Sequence, residues 1–164
     1  MNVDTIEKLF IDELKDLYSS ENQITKALPK LAKASRSEDL RTAFESHLKE
    51  TQEQIGRLEQ IFKSLEVSPK GKTCVGMKGL LEEGSELLEQ AQEGAIRDAA
   101  MISAAQRVEH YEMAGYGSVR TYAQLLGKDK IVTLLEKTLE EEKSADSRLT
   151  KIAKSVNEEA LRAA

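Results

Sequence analysis

The sequence predicts an all-α fold: a four-helix bundle whose two hairpins are joined by a long crossover carrying a short fifth helix. Three observations lead there. Apolar residues recur at alternating steps of three and four along almost the whole chain, the spacing of amphipathic helices. The composition is 40% apolar and 32% charged, with two prolines and no tryptophan, which is a balance of good helix formers. The breaks in this periodicity run short, long, short: turns near residues 35–37 and 127–128 flank a stretch of different character at 68–94.

The first helix is expected over roughly 3–34, with the stripe Phe10, Leu14, Leu17, Glu21, Ile24, Leu28, Leu31. Asp4 is the expected N-cap, and Pro29 should bend the last turns. The second, roughly 37–66, starts at the capping residue Ser37 and carries Leu40, Phe44, His47, Thr51, Gln54, Leu58, Ile61, Leu65. The third, roughly 96–126, shows Met101, Ala105, Val108, Glu112, Gly115, Val119, Tyr122, Leu126. The fourth, roughly 129–156, shows Ile131, Leu135, Thr138, Glu142, Ala145, Leu149, Ile152, Val156. Turns of two or three residues make each pair an antiparallel hairpin. The connection SPKGKTCVGMKGLLEEGSELLEQAQEG opens with turn chemistry and then carries an amphipathic helix near 77–92, long enough to run the height of a bundle.

With 164 residues the chain can bury a core and is expected to be a single domain over 1–164. Lys and Arg number 24 against 29 Asp and Glu, for a net charge of −5, and no basic stripe stands out, so nucleic acid is not an expected partner. No segment approaches a membrane span. MNVDTIEKLF has acidic residues where an export signal needs basic and then apolar ones, and Cys74 stands alone. Both point to the cytoplasm.

The stripes hold residues that a bundle core should exclude. Glu21, Glu112 and Glu142 occupy core positions, and the middle of the second stripe is polar, with Glu50 beside it. Measured from its own hairpin turn, each of these four glutamates lies about 14 or 15 residues away, which at ~1.5 Å per residue is roughly 21–23 Å. Four carboxylates therefore share one level, midway along the bundle. Glu109 and Asp146 each lie one turn further along and form a second matched pair, while Glu53 and Gln54 occupy the turn after Glu50. Burying unpaired carboxylates costs several kcal/mol each. With no Lys or Arg on the stripes, a pair of divalent cations is the expected neutraliser. His47 suits a ligand, a neighbour that orients one, or a polar core residue. His110 should face solvent, and Tyr18 and Tyr116 should pack. Gly115 and Gly117, costly inside a helix, should admit a close neighbour.

YSSENQ (18–23), HLKETQEQIGRLE (47–59), VEHYEMAGYG (108–117) and LLGKDKIVTLLEKTLEEEKSAD (125–146) resemble the YciF/YciE-type bacterial stress-response proteins of the ferritin-like superfamily, and the resemblance covers nearly the whole chain. It implies a ferritin-like bundle and a cytoplasmic, stress-linked homodimer whose biochemical activity is not established for the family. The rubrerythrin branch of that superfamily implies metal ligands at Glu21, Glu50, Glu109, Glu112 and Glu142. It also has histidines where this chain has Glu53 and, after Glu142, only Ala145 and Asp146. Gln54 or His47 on the second helix and Asp146 on the fourth are the substitutes at hand. An oxygen-rich set of this kind suits Fe or Mn, with Mg or Ca as alternatives. One reading is thus a di-metal protein handling peroxide or iron. The other is a non-enzymatic structural or adaptor stress protein with a vestigial or structural metal site, and for an adaptor the second apolar row on helix two (Leu48, Ile55, Phe62) offers a contact face.

Overall fold

Thr5, rather than Asp4, starts the first helix: its hydroxyl accepts from the Lys8 amide at 3.2 Å, while Asp4 pairs with the Lys8 ammonium at 2.7 Å. The computed structural model describes residues 3–163. Helix α1 spans Ile6–Ala34 and runs through Pro29. Helix α2 spans Glu38–Ser64, capped as expected by Ser37, whose hydroxyl accepts from Leu40 N at 3.3 Å. Such a cap is worth about 1 kcal/mol. The crossover helix α3 covers Val75–Gln90, α4 covers Ala95–Leu125, and α5 covers Asp129–Arg162, six residues beyond the expected end. The turn between α4 and α5 depends on Gly127 at φ +65°, a left-handed conformation that glycine adopts without steric cost.

Helices α1 and α2 form one hairpin and α4 and α5 the other. Across the bundle α1 packs on α4 and α2 on α5. The crossover brings α4 back to the α1–α2 turn, and Asp98 fastens it there. The buried Asp98 carboxylate accepts from Arg36 N at 2.9 Å and Ser37 N at 2.7 Å, occupying the amides that open α2. Helix α3 lies outside, against α4 and α1. Its cap is Cys74, whose buried sulfur accepts from Met77 N at 3.3 Å and sits 3.0 Å from the Tyr111 hydroxyl.

The core is in two pieces. One, nearer the α1–α2 turn, holds Ile24, Leu28, Leu40, Phe44, Met101, Ile102 and Leu149. The other holds Phe10, Leu14, Leu17, Leu58, Phe62, Val119 and Leu135. Between them every long helix places buried polar groups: Ser20 and Glu21 on α1, His47, Thr51, Gln54 and Arg57 on α2, Glu109 and Glu112 on α4, Thr138 and Glu142 on α5. The order apolar, polar, apolar along each helix sets this layer at mid-height.

Gly115 lets α1 come close. A methyl at its Cα would stand 2.8 Å from Leu17 Cδ2, inside contact distance, so the absent side chain is what seats Leu17. Gly117 has open space instead, and the close approach expected of it is not found.

Candidate metal centre

The polar layer converges on a point. His47, Glu109, Glu112 and Glu142 each offer one ligand atom, and these four atoms lie within 4.8 Å of one another. His47 Nε2 is 3.2 Å from Glu109 Oε1 and 3.7 Å from Glu142 Oε2, and its Nδ1 is 3.3 Å from Glu50 Oε2. From α1, Glu21 accepts a hydrogen bond from the Tyr116 hydroxyl. From α2, Gln54 donates to Glu142.

Most of the converging atoms have no hydrogen-bond partner. Glu21 Oε2, Glu109 Oε2, both oxygens of Glu112, Glu142 Oε2 and His47 Nε2 are all buried and unsatisfied. Each such group costs on the order of 1–3 kcal/mol, more when charged. A natural core holds few of them, so six such atoms in one layer suit a cation as their common partner. The donor set is hard oxygen with one imidazole nitrogen, which suits Fe or Mn. The residues fit a metal.

The electrostatics agree. Burial, and after it the charge of Glu142, pushes Glu21 well above the usual carboxylate range, with Tyr116 and Arg57 pulling it partly back. Burial and then the hydrogen bond and charge of Glu142 raise Glu109. Burial and then the charges of Glu21, Glu142 and Glu109 raise Glu112. Burial beside Glu21 and Glu112 raises Tyr116 as well. Burial and mutual repulsion thus favour the protonated form of all three glutamates relative to a solvated carboxylate.

A family model described as a domain of unknown function, DUF892, matches residues 5–162. The chain belongs to the DUF892 family. It is 49% identical over 154 residues to Protein YciF of Escherichia coli (strain K12), covering 93% of both chains. It superposes on the crystal structure of the E. coli stress protein YciF with a TM-score of 0.91 at 47% identity, over 95% of this chain and 99% of that one. A ferritin-like, diiron-carboxylate protein from Bacillus anthracis gives a TM-score of 0.70 at 18% identity, over 93% of this chain and 99% of that one. At that identity the likeness speaks for the fold alone. The DUF892 bundle is thus ferritin-like, as the resemblance implied. No helix among the described residues is long and apolar enough to cross a membrane.

Of the site residues anticipated for this DUF892 chain, Glu21, Glu109, Glu112 and Glu142 meet in the layer, with His47 inside it rather than beside it. Gln54 is buried and positions Glu142. Glu50 stands at the edge, bonded to His47, and that bond holds it below the usual carboxylate range. The structure does not bring in Glu53, whose side chain is 68% exposed and 3.9 Å from Arg57. It is one residue, about 100°, round the helix from Gln54. Asp146 is turned outward to His110 at 3.3 Å and Gln106 at 3.1 Å, so the second matched pair is not formed.

Sequence reasoning missed Arg57. The stripes themselves hold no Lys or Arg, yet Arg57 is buried beside them on α2, bonded to Thr138 Oγ1 at 3.0 Å and to Glu141. Its position three residues after Gln54 and next to the core residue Leu58 was the available signal. A concavity of about 350 Å³ lies elsewhere, where Lys26 and Lys30 of α1 face Leu81 and Leu88 of α3, and contains none of these ligands.

Proposed function

We propose that the chain is a cytoplasmic stress-response protein that holds two divalent ions, iron or manganese, in the mid-bundle layer and acts on peroxide or iron. The observation that carries this reading is the convergence of His47, Glu109, Glu112 and Glu142, with unpartnered buried atoms on each and on Glu21 in the same layer. Those five side chains would hold the ions, with Glu50 in reach through its bond to His47. Bound iron or manganese would supply the redox chemistry towards peroxide or the storage of iron.

The remaining residues position the ligands. Tyr116 donates to Glu21 and fixes its carboxylate plane, and Gln54 does the same for Glu142. Arg57 braces Glu141 and Thr138 on α5, one residue and one turn from Glu142. The two apolar clusters above and below exclude water, so charges in the layer interact strongly. Elemental analysis and anomalous scattering on protein grown with Fe or Mn test the reading. Two ions per chain at this level are expected, and sub-stoichiometric metal under both conditions overturns it.

Arg57 favours a second reading, a structural stress protein. Its guanidinium bonds Thr138 and Glu141 and so ties α2 to α5 without an ion, and its charge offsets part of the upward push on Glu21. Equal melting temperatures for chelated and metal-loaded protein would select this alternative.

A further inference from the structure

The centre is sealed on most sides but not all. Glu21, Glu112 and Glu142 are each 0% exposed, whereas Glu109 keeps 3% and His47 5%. Those two floor a narrow cleft between α2 and α5. Ala43 and Ala145 line its walls, and Glu50 and Arg148 stand at its rim. Its free volume is about 10 Å³, close to the minimum for one water. Of the five side chains that would hold the ions, the two that keep contact with solvent are the two that this cleft reaches.

The rim is chemically distinct from the floor. Glu50 has about a third of its side chain in water, yet its Oε2 is 3.3 Å from His47 Nδ1, so one carboxylate touches both solvent and the buried imidazole. Arg148 contributes its positive charge to Glu50 from α5. Phe44 and Leu149 line the cleft as well, and the space between them is left open by the two alanines, one from each helix. A larger residue at either wall would fill the remaining volume.

We infer that this α2/α5 cleft is the port through which the carboxylate centre exchanges divalent ions and water-sized solutes with the surroundings, with Ala43 and Ala145 setting its bore. Glu50 is the first carboxylate that an incoming cation meets, and it hands the ion on past His47 to Glu109. The ion route rests on the di-metal reading, whereas the water route does not. The bore admits nothing much wider than water, which limits direct reactants to molecules the size of peroxide.

Stopped-flow loading of chelated protein with Mn²⁺ or Fe²⁺ tests the port, with final stoichiometry measured separately. Ala145→Leu should slow loading by about tenfold or more, the effect of roughly 1.4 kcal/mol on the barrier, and leave the final stoichiometry unchanged. Gly117→Ala, which lies in open space away from the cleft, should load at the wild-type rate. A metal-free readout runs beside it: deuterium exchange at the ring C2 of His47, followed by mass spectrometry. Exchange should slow in Ala145→Leu, while exposed His110 stays unchanged as internal reference. Unchanged loading and unchanged His47 exchange in the leucine variant would overturn the port and leave the metal centre standing. Wild-type protein that binds no ion at equilibrium would remove the ion route together with the di-metal reading, and the His47 exchange would then decide the water route alone.

Discussion

Tyr116 and Glu21 are joined across the α4–α1 interface by one hydrogen bond, donated by the phenol, with both side chains 0% exposed. The pairing links the apolar cluster that contains Tyr116 to the carboxylate layer, since the ring packs in the one while the hydroxyl reaches the other. Tyr116→Phe keeps the packing and removes the donor, leaving Glu21 with neither oxygen satisfied. The expected cost is about 1–3 kcal/mol in metal-free protein. It should shrink in metal-loaded protein, where the ion takes over the oxygens. Urea unfolding of both forms measures it, and an equal cost in the two would mean that Glu21 is not a ligand.

Ligand assignment follows from which side chains converge. Glu21→Ala, Glu112→Ala and Glu142→Ala should each lower metal stoichiometry by about one ion or more. Glu53→Ala and Glu59→Ala should leave it unchanged, since Glu53 points to solvent and Glu59 serves only as an acceptor for the Tyr18 hydroxyl at 3.1 Å. Elemental analysis of the five purified variants decides it. Uniform losses across all five would show that the variants perturb folding rather than ligation.

Much of this was legible in the residues. The 3.6-residue period gave all five helices with their order, because burial of one face is a property of the sequence itself. The height of Glu21, Glu112 and Glu142 was also legible, since short turns at Ser35–Ser37 and Gly127 fix the register between partners and a helix rises evenly. Side-chain direction at the stripe's edge was not. Glu53 and Asp146 lie at the right height, but a step of one residue round the helix turns Glu53 to solvent and sets Asp146 against Gln106 and His110, and periodicity does not resolve that step. Arg57 was hidden for a related reason. Its partners Thr138 and Glu141 are on α5, so its burial depends on a contact between hairpins that no local pattern shows.

The two glycines of α4 should respond differently to the same change. Gly117→Ala adds a methyl in open space within a helix and should stabilise the protein by about 0.5–1 kcal/mol, the helix-propensity difference. Gly115→Ala gains the same propensity but drives its methyl to 2.8 Å from Leu17 Cδ2, and Leu17 is buried with little room to retreat. Its stability should fall below that of Gly117→Ala by 1 kcal/mol or more, in the range that overpacking costs. Thermal melts of the pair measure the difference, and indistinguishable values would show that α1 and α4 separate freely.

A homodimer is expected from the outer face of α2. Phe62 of its second apolar row is buried within the chain, edge-on to Tyr18 at 5.9 Å between centroids, and Leu48 packs half-buried on the cluster near the α1–α2 turn, which leaves half-buried Ile55 as the centre of the face. The packing partners of α2 are α1 and α5, and the crossover helix lies on α4 and α1, away from that row. A second copy is the natural cover for a helix face left in this state. Light scattering should give twice the 18.3 kDa chain mass at micromolar concentration, and Ile55→Glu should halve it. A wild-type mass equal to one chain would refute the dimer.

The pH dependence of stability should change sign with metal. In metal-free protein, burial first and neighbouring carboxylates second hold Glu21, Glu109 and Glu112 well above the ordinary value of about 4.3 that they take on unfolding. Between that value and the folded ones the native state binds more protons than the unfolded chain. Its stability is therefore fully present below the unfolded value and is lost as pH rises through the folded values. Glu50 works in the opposite sense, because His47 holds it low, but it is already ionised in both states above about pH 5.5 and drops out of the comparison. Chelated protein should thus melt at a lower temperature near pH 8 than near pH 5.5. With ions bound, the same carboxylates must be ionised to coordinate, protons compete with the metal, and stability should hold steady or rise with pH. Thermal melts at the two pH values, with and without prior chelation, separate these outcomes. Parallel pH dependence in the two forms would mean that the layer titrates as if in water, and the carboxylates of α1, α4 and α5 would then have no ion to answer for.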